Sequence, residues 1–441
     1  MVQACESDPS IRHAVIAIGA LNLNSPLPSP DNSVGTLKHN YAFRQYSKAL
    51  CLLRRDVAGG ICDLRTTLIT CLLFYCFESF HGYQELAISQ VYSDLKLIRE
   101  WTTSYYKPDE NGRRRKRTGS EGPYTVEDDI LRAFGNLEIQ VMTYVDGRSR
   151  EAHEHFRHCG QESIDDMPPV FSSLQEARTL LELVIRRSMH WLRSTMRLQN
   201  FSTPSTSPNG SPTWGEGPEF GPFSLFFDVD PTFEERLQTM KEYERWDDAF
   251  RHLLNRSRSR SAPEEDFLLA STLRLHWLSG YLSIASNNSY SSLVNNGRFT
   301  TELEELVGIS RILLGRGEEL GNGGFTFDMQ IIVPLMTVGW IYRHRALRRE
   351  AIELLLRSPR KEGVWDGIVV GKIMAWLAGI EEEGLDDVAI EDEDYVPEWA
   401  AARCIKMSFD TERHEASVSC LQPVRGSLVG EEVRREVIIP L

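Results

Sequence analysis

The segment 63–80 limits the folds open to this chain more than any other, because between residues 68 and 77 it is apolar nearly all round. A helix of that kind has no face to offer water and must be enclosed by other helices. The rest of the chain supplies them. Ala42, Tyr46, Ala49, Leu50 and Leu53 follow the i, i+4, i+7, i+8, i+11 spacing of one helical face. Ala87, Val91, Leu95 and Ile98 form a second stripe, and Ile130, Phe134, Leu137, Val141 and Val145 a third. Leu174, Ala177, Leu181, Val184, Ser188 and Trp191 mark a long amphipathic segment, and Phe233, Leu237 and Met240 continue toward Phe250 and Leu253. Phe299, Leu303, Leu306 and Leu313 precede a last stripe at Val369, Ile373, Trp376, Leu377 and Ile380. About a dozen such segments with few alternating ones predict an all-α class, a multi-helix array of antiparallel helix pairs. No fixed-period repeat accompanies them.

Turn chemistry places the breaks. Residues 24–32 hold three prolines, 105–124 are polar and charged, and 256–263 and 286–296 read as polar connectors. The stretch 201–222, rich in Ser, Pro and Gly, reads as a mobile loop between an N-terminal helical lobe (1–200) and a C-terminal one (223–400). In the tail, 401–441, the alternating segments 416–420 and 433–439 are separated by Arg425, Gly426 and Gly430, which predicts a small β-hairpin. The acidic run 381–394 before it reads as a solvated linker.

With 441 residues the chain can bury a large core. Its formal net charge of −14 repels phosphate backbones, so the global balance disfavours direct nucleic-acid binding. Eight cysteines stand at 5, 51, 62, 71, 76, 159, 404 and 420 with no CxxC pair, the pattern of reduced thiols in an intracellular protein. The first thirty residues lack a basic segment followed by an apolar one, so no secretory signal is read. The longest apolar stretch, about ten residues, is too short to span a bilayer.

Motif-like strings mostly fail on spacing. Gly367, Gly371 and Lys372 approximate a phosphate-binding loop one residue short, without its Ser/Thr, and in a helical pattern. Gly315, Gly317 and Gly321 miss dinucleotide spacing by one residue. His153, His155, His158 and Cys159 are the best metal candidates: on a helix, His155 and Cys159 share a face at i, i+4. The competing reading is a polar connector, since Gly160 follows at once. Asp128–Asp129 and Asp165–Asp166 pair acids as magnesium-dependent helical cyclases do, but lack a third aspartate at the required spacing; acids opening a helix at Asp129 fit the helix dipole. The run Arg113, Arg114, Arg115, Lys116, Arg117 stands out from an acidic chain. It reads as a nuclear import signal, with a solvated basic loop and a phosphate contact as alternatives.

Several blocks together resemble the fungal-specific transcription factor region that follows a zinc-cluster DNA-binding domain. The opening Ser7, Asp8, Pro9, Ser10, Ile11, Arg12, His13, Ala14 resembles that region's first helix; Asp8 or Ser7 can cap it and Pro9 suits its first turn. Residues 41–53 and 63–82 are similar to the paired helices found there, and 131–148 to a third block. The C-terminal block is the most specific: Phe325, Thr326, Phe327 and Asp328, then Ile332, Val333, Pro334 and Leu335, then Arg348, Arg349 and Glu350, closing on Glu362, Gly363, Val364, Trp365 and Asp366. Each of these residues also has a plain folding role, with Pro334 starting a helix, Pro359 ending one and Trp365 anchoring the next.

The resemblance implies a transcription regulator in the nucleus. Its implied partners are other transcription factors or co-regulators, with a small-molecule effector and homo- or heterodimers as further expectations. The family's six closely spaced cysteines have no counterpart here, and Met1 lies almost at the start of the opening helix. Direct nucleic-acid binding is therefore not expected of this chain, nor membrane association. No catalytic residue, cofactor-binding residue or metal ligand is nominated, and the expected cofactor set is none. An all-α enzyme acting on an isoprenoid or lipid, and a plain helical interaction scaffold, are the alternatives.

Overall fold

A computed structural model of the chain describes residues 2–22, 32–60, 62–108, 114–116, 128–144, 146–195, 233–286, 297–319, 324–383, 385, 393–397, 399–410, 413, 415–424 and 431–440. Among them fifteen α-helices dominate, which makes the protein mostly all-α as its periodicity predicts. No helix among the described residues is long and apolar enough to cross a membrane. The chain separates into two compact units, 1–141 and 142–441.

The first unit contains α1 (Val2–Ser7), α2 (Pro9–Asn22), α3 (Asn32–Ala58), α4 (Leu64–His81), α5 (Gln84–Tyr105) and most of α6 (Asp128–Tyr144), which runs across the boundary. The strands β1 (Tyr106–Pro108) and β2 (Arg114–Lys116) form an antiparallel ribbon. Helix α4 is the enclosed one: Leu68, Phe74, Tyr75 and Phe77 are all buried. Asp63 caps its start by accepting from the Thr66 amide at 2.6 Å. Gly82, left-handed at φ 98°, ends it by donating its amide to the Glu78 carbonyl. Tyr46 of α3 stacks on Phe77 with ring centroids 4.4 Å apart. Asp8 caps α2, taking the Ser10 amide at 2.7 Å, with Pro9 as the first helical residue.

The second unit contains α7 (Arg150–Phe156), α8 (Gln161–Asp165), α9 (Leu174–Thr195), α10 (Phe233–Ser257), α11 (Glu264–Ala285), α12 (Thr300–Glu319), α13 (Ile332–Met336), α14 (Arg345–Arg357) and α15 (Gly367–Glu382). A π-helical turn, Thr337–Tyr342, follows α13 directly. The helices flanking 201–222 share this unit, since Trp246 of α10 donates to the Ala177 carbonyl of α9 at 2.8 Å; residues 201–222 lie outside the described residues. Helix α11 is a second enclosed helix, with Leu273, Leu275, Leu278 and Leu282 buried.

Two sheets complete the unit. The strands β3 (Phe325–Thr326), β4 (Lys361–Glu362) and β5 (Trp365–Asp366) form one, parallel between β3 and β4 and antiparallel between β4 and β5. The tail is a three-stranded antiparallel sheet of β6 (Arg403–Asp410), β7 (Glu415–Pro423) and β8 (Glu432–Pro440). The expected hairpin is β7–β8; β6 adds a strand because Ile405 and Met407 alternate onto the buried side. The start of the acidic run 381–394 is helix, not linker: α15 continues to Glu382, and Glu381 is 1% exposed.

Candidate functional site

The segments 325–335 and 360–366 fold into one clip. The β4–β5 hairpin pairs Glu362 with Trp365 and turns at Gly363, whose φ of 54° suits a residue without a Cβ. The buried Glu362 carboxylate accepts the amides of Gln330 at 2.8 Å, Ile331 at 3.0 Å and Ile332 at 3.0 Å. These belong to the opening of α13, where helical amides have no partner within the helix. Arg360 Nε lies 3.0 Å from the same carboxylate. Burial pushes the Glu362 carboxyl up, while Arg360 and the amides work against that shift. Trp365, also buried, donates to Thr143 Oγ1 at 3.2 Å and sets its ring edge-on to Tyr144. Asp366 then caps α15 by accepting the Ile368 and Val369 amides.

A second constellation adjoins it in sequence. The π-helical turn ends at Arg343, whose φ of 53° is the only positive value for a non-glycine among the described residues. Arg343 Nε lies 3.0 Å from Glu381 Oε1, which also takes the Ala402 amide at 2.7 Å. Arg343 Nη2 donates to the Ala402 carbonyl. Arg348, completely buried, meets the other oxygen of Glu381 through Nη1 at 2.6 Å. Among the described residues its Nε and Nη2 find no acceptor. Burial works to raise the Glu381 carboxyl, but Arg343 and Arg348 outweigh it and hold the group below the usual carboxylate range. Arg345 and Arg349 converge on Glu382 next to it. A π-turn, a left-handed arginine and a buried two-to-one ion cluster thus concentrate strain within residues 337–348, which is where proteins tend to place functional or switching segments. An acidic run does not by itself announce a buried member such as Glu381. The available signal was spacing: Glu381 continues the stripe of Ile373 and Leu377 at i+8 and i+4.

The structure separates the proposed metal ligands. Helix α7 ends at Phe156, so His155 and Cys159 do not share a helical face. His153 is buried and meets His190 Nδ1 to Nδ1 at 2.9 Å, with Asp146 Oδ2 3.6 Å from its Nε2. Its burial lowers its pKa to about 4. Cys159, by contrast, is exposed, and His158 lies toward Glu154. Among the described residues no group of three or more His, Cys, Asp or Glu is arranged to hold a metal.

The remaining strings resolve as local structure. Asp129 pairs with Arg132 one helical turn on, at the start of α6. Asp165 accepts from Gln161, and Asp166 closes α8. Gly367 opens α15, and a Cβ on Gly371 would lie 2.9 Å from Leu356, so that glycine lets α14 and α15 approach rather than cradle phosphate. Gly315 and Gly317 lie within α12, and Gly321 is outside the described residues. Of the basic run, Arg114, Arg115 and Lys116 form the backbone of β2, while Arg113 and Arg117 lie outside the described residues. Comparison with protein-family models, with curated proteins and with solved structures returns no match to this chain.

Proposed function

We propose that this chain is the regulatory region of a fungal zinc-cluster type of transcription regulator, working in the nucleus through other transcription factors or co-regulators. The observation that carries the reading is the ordered C-terminal block from Phe325 to Trp365, with Pro334, Arg348 and the Glu362, Gly363, Trp365 turn in the family's sequence order. Two features support it. The net charge of −14 argues for protein partners over direct contact with a phosphate backbone. The cations at 113–117 supply a segment of the kind nuclear import receptors read.

The test has two arms. A fluorescent fusion of the chain is expected to accumulate in fungal nuclei and to lose that accumulation when Arg113 to Arg117 are replaced by alanine. Chromatin immunoprecipitation is expected to give promoter signals that vanish when the partner factor is deleted. Tight binding of duplex DNA by the purified chain, or an unchanged cytosolic distribution in both fusions, would overturn the reading.

A further inference from the structure

The core of the first unit contains two acids that none of the motifs accounts for. Glu78 on α4 is 2% exposed and Asp94 on α5 is 6% exposed. Each lies on an apolar stripe, Glu78 four residues after Phe74 and Asp94 three after Val91. Among the described residues neither has a cation among its interacting groups. Tyr46 of α3 donates its hydroxyl to Glu78 Oε1 in a short hydrogen bond, and Glu78 Oε2 has no partner. The Cys71 thiol of α4 bonds to Asp94, and Gln90 of α5 bonds to the same thiol.

The surroundings do not neutralise this pair. Helix α3 contributes Tyr46 and, more distantly, Arg54, which acts on the Tyr46 hydroxyl. Helix α4 contributes Cys71, on which Cys62 acts from before the helix. Helix α2 turns His13 to Gln45 of α3, and α6 turns Gln140 to Tyr75. His39 of α3 and His81 of α4 bond to each other beside Phe43. Two carboxyls buried in one apolar, aromatic core are poorly solvated, and the charge of Asp94 acts on Glu78, so the folded state favours their protonated forms.

We propose that Glu78 and Asp94 form a proton-sensing pair that closes the α3–α4–α5 packing when protonated and loosens it when both ionise. Burial pushes the Glu78 and Asp94 carboxyls up to about 7 each, which puts the transition in the range a cell can reach. The sign follows from linkage. Unfolded, the two groups titrate near 4.5 and 3.8. Between there and about pH 7 the folded state therefore holds more protons, and stability is lost as pH rises through that window.

Hydrogen exchange on the full chain, corrected for its intrinsic pH dependence, tests this. Opening of α4 and α5 is expected to rise by about tenfold per pH unit between pH 5 and 7 for each carboxyl that ionises, then to level off. Glu78→Gln and Asp94→Asn should each flatten that slope. Tyr46→Phe, which removes the donor to Glu78 and keeps the ring, should carry the rise to higher pH. An infrared carbonyl band of a buried carboxylic acid should be present in the wild-type chain at pH 6 and disappear above pH 8. A slope unchanged in Glu78→Gln, or no acid band at pH 6, overturns the proposal, and the infrared measurement needs no variant to fold.

Discussion

Gly280 shows how tightly single positions are held in the second unit. A Cβ there would stand 2.5 Å from the Tyr243 hydroxyl oxygen and 2.9 Å from its ring. That ring is completely buried and cannot step aside, because its hydroxyl is tied to Ser188 at 2.8 Å. Gly280→Ala is therefore expected to destabilise the protein by about 1–3 kcal/mol, the usual cost of overpacking a filled core. Gly339 makes the informative contrast. Its added Cβ would come even closer, 2.1 Å, but to the terminal methyl of Met374. A thioether with three rotatable bonds can swing away where a phenol cannot. Denaturant melts of the two variants should rank Gly280→Ala as the more costly, despite the shorter contact at Gly339. The opposite order would mean that Tyr243 is freer than its hydrogen bond implies.

Between elements, the tie of α14 to α15 rests on a charge imbalance. Arg343 and Arg348 share Glu381, yet Arg348 leaves Nε and Nη2 without acceptors. Taking away the under-satisfied arginine removes a desolvation burden, whereas taking away the shared carboxylate strands two cations and the Ala402 amide. Arg348→Met is expected to cost no more than about 1 kcal/mol, and Glu381→Ala about 3–5 kcal/mol. Equal losses in chemical denaturation would show that the Arg348 contact contributes more than its geometry indicates. The sequence made the elements legible and their partners much less so. Asp63 and Gly82 announce α4, and Asp8 with Pro9 announces α2, because a cap acts within one turn of the residue that forms it. Glu362 caps α13 from thirty residues further along the chain, and nothing local marks that pairing. Strand β6 alternates at Ile405, Met407 and Phe409, but lacks the glycine-marked turn that delimits β7 and β8. Arg348, Glu381, Glu78 and Asp94 had one readable signal, a charge at a stripe position, but periodicity read for apolar residues passes over it.

At the scale of the molecule, the buried acids of the first unit and His153 of the second respond to pH in opposite senses. The acids of the first unit favour closure in acid, whereas His153 in the second favours the neutral form. Burial holds His153 at about 4, against 6.5 when unfolded. Between those values the unfolded chain binds the extra proton, so stability falls as pH drops from 6.5 toward 4. A displacement of that size corresponds to about 3 kcal/mol at the acid end. Asp146 steepens the limb below it: burial opposes ionisation, but Arg148 at 2.6 Å holds the carboxyl well under its usual range, and that contribution is lost only at lower pH still. Exchange rates of α7 and α9 should therefore rise as the medium is acidified from pH 6.5, while those of α4 and α5 fall. His153→Asn, which keeps a hydrogen-bonding atom near His190 and cannot take up a proton, should flatten the acid response of the second unit and leave that of the first untouched. If both units answered acidification in the same direction, the burial of His153 and of the Glu78–Asp94 pair would not be what governs them.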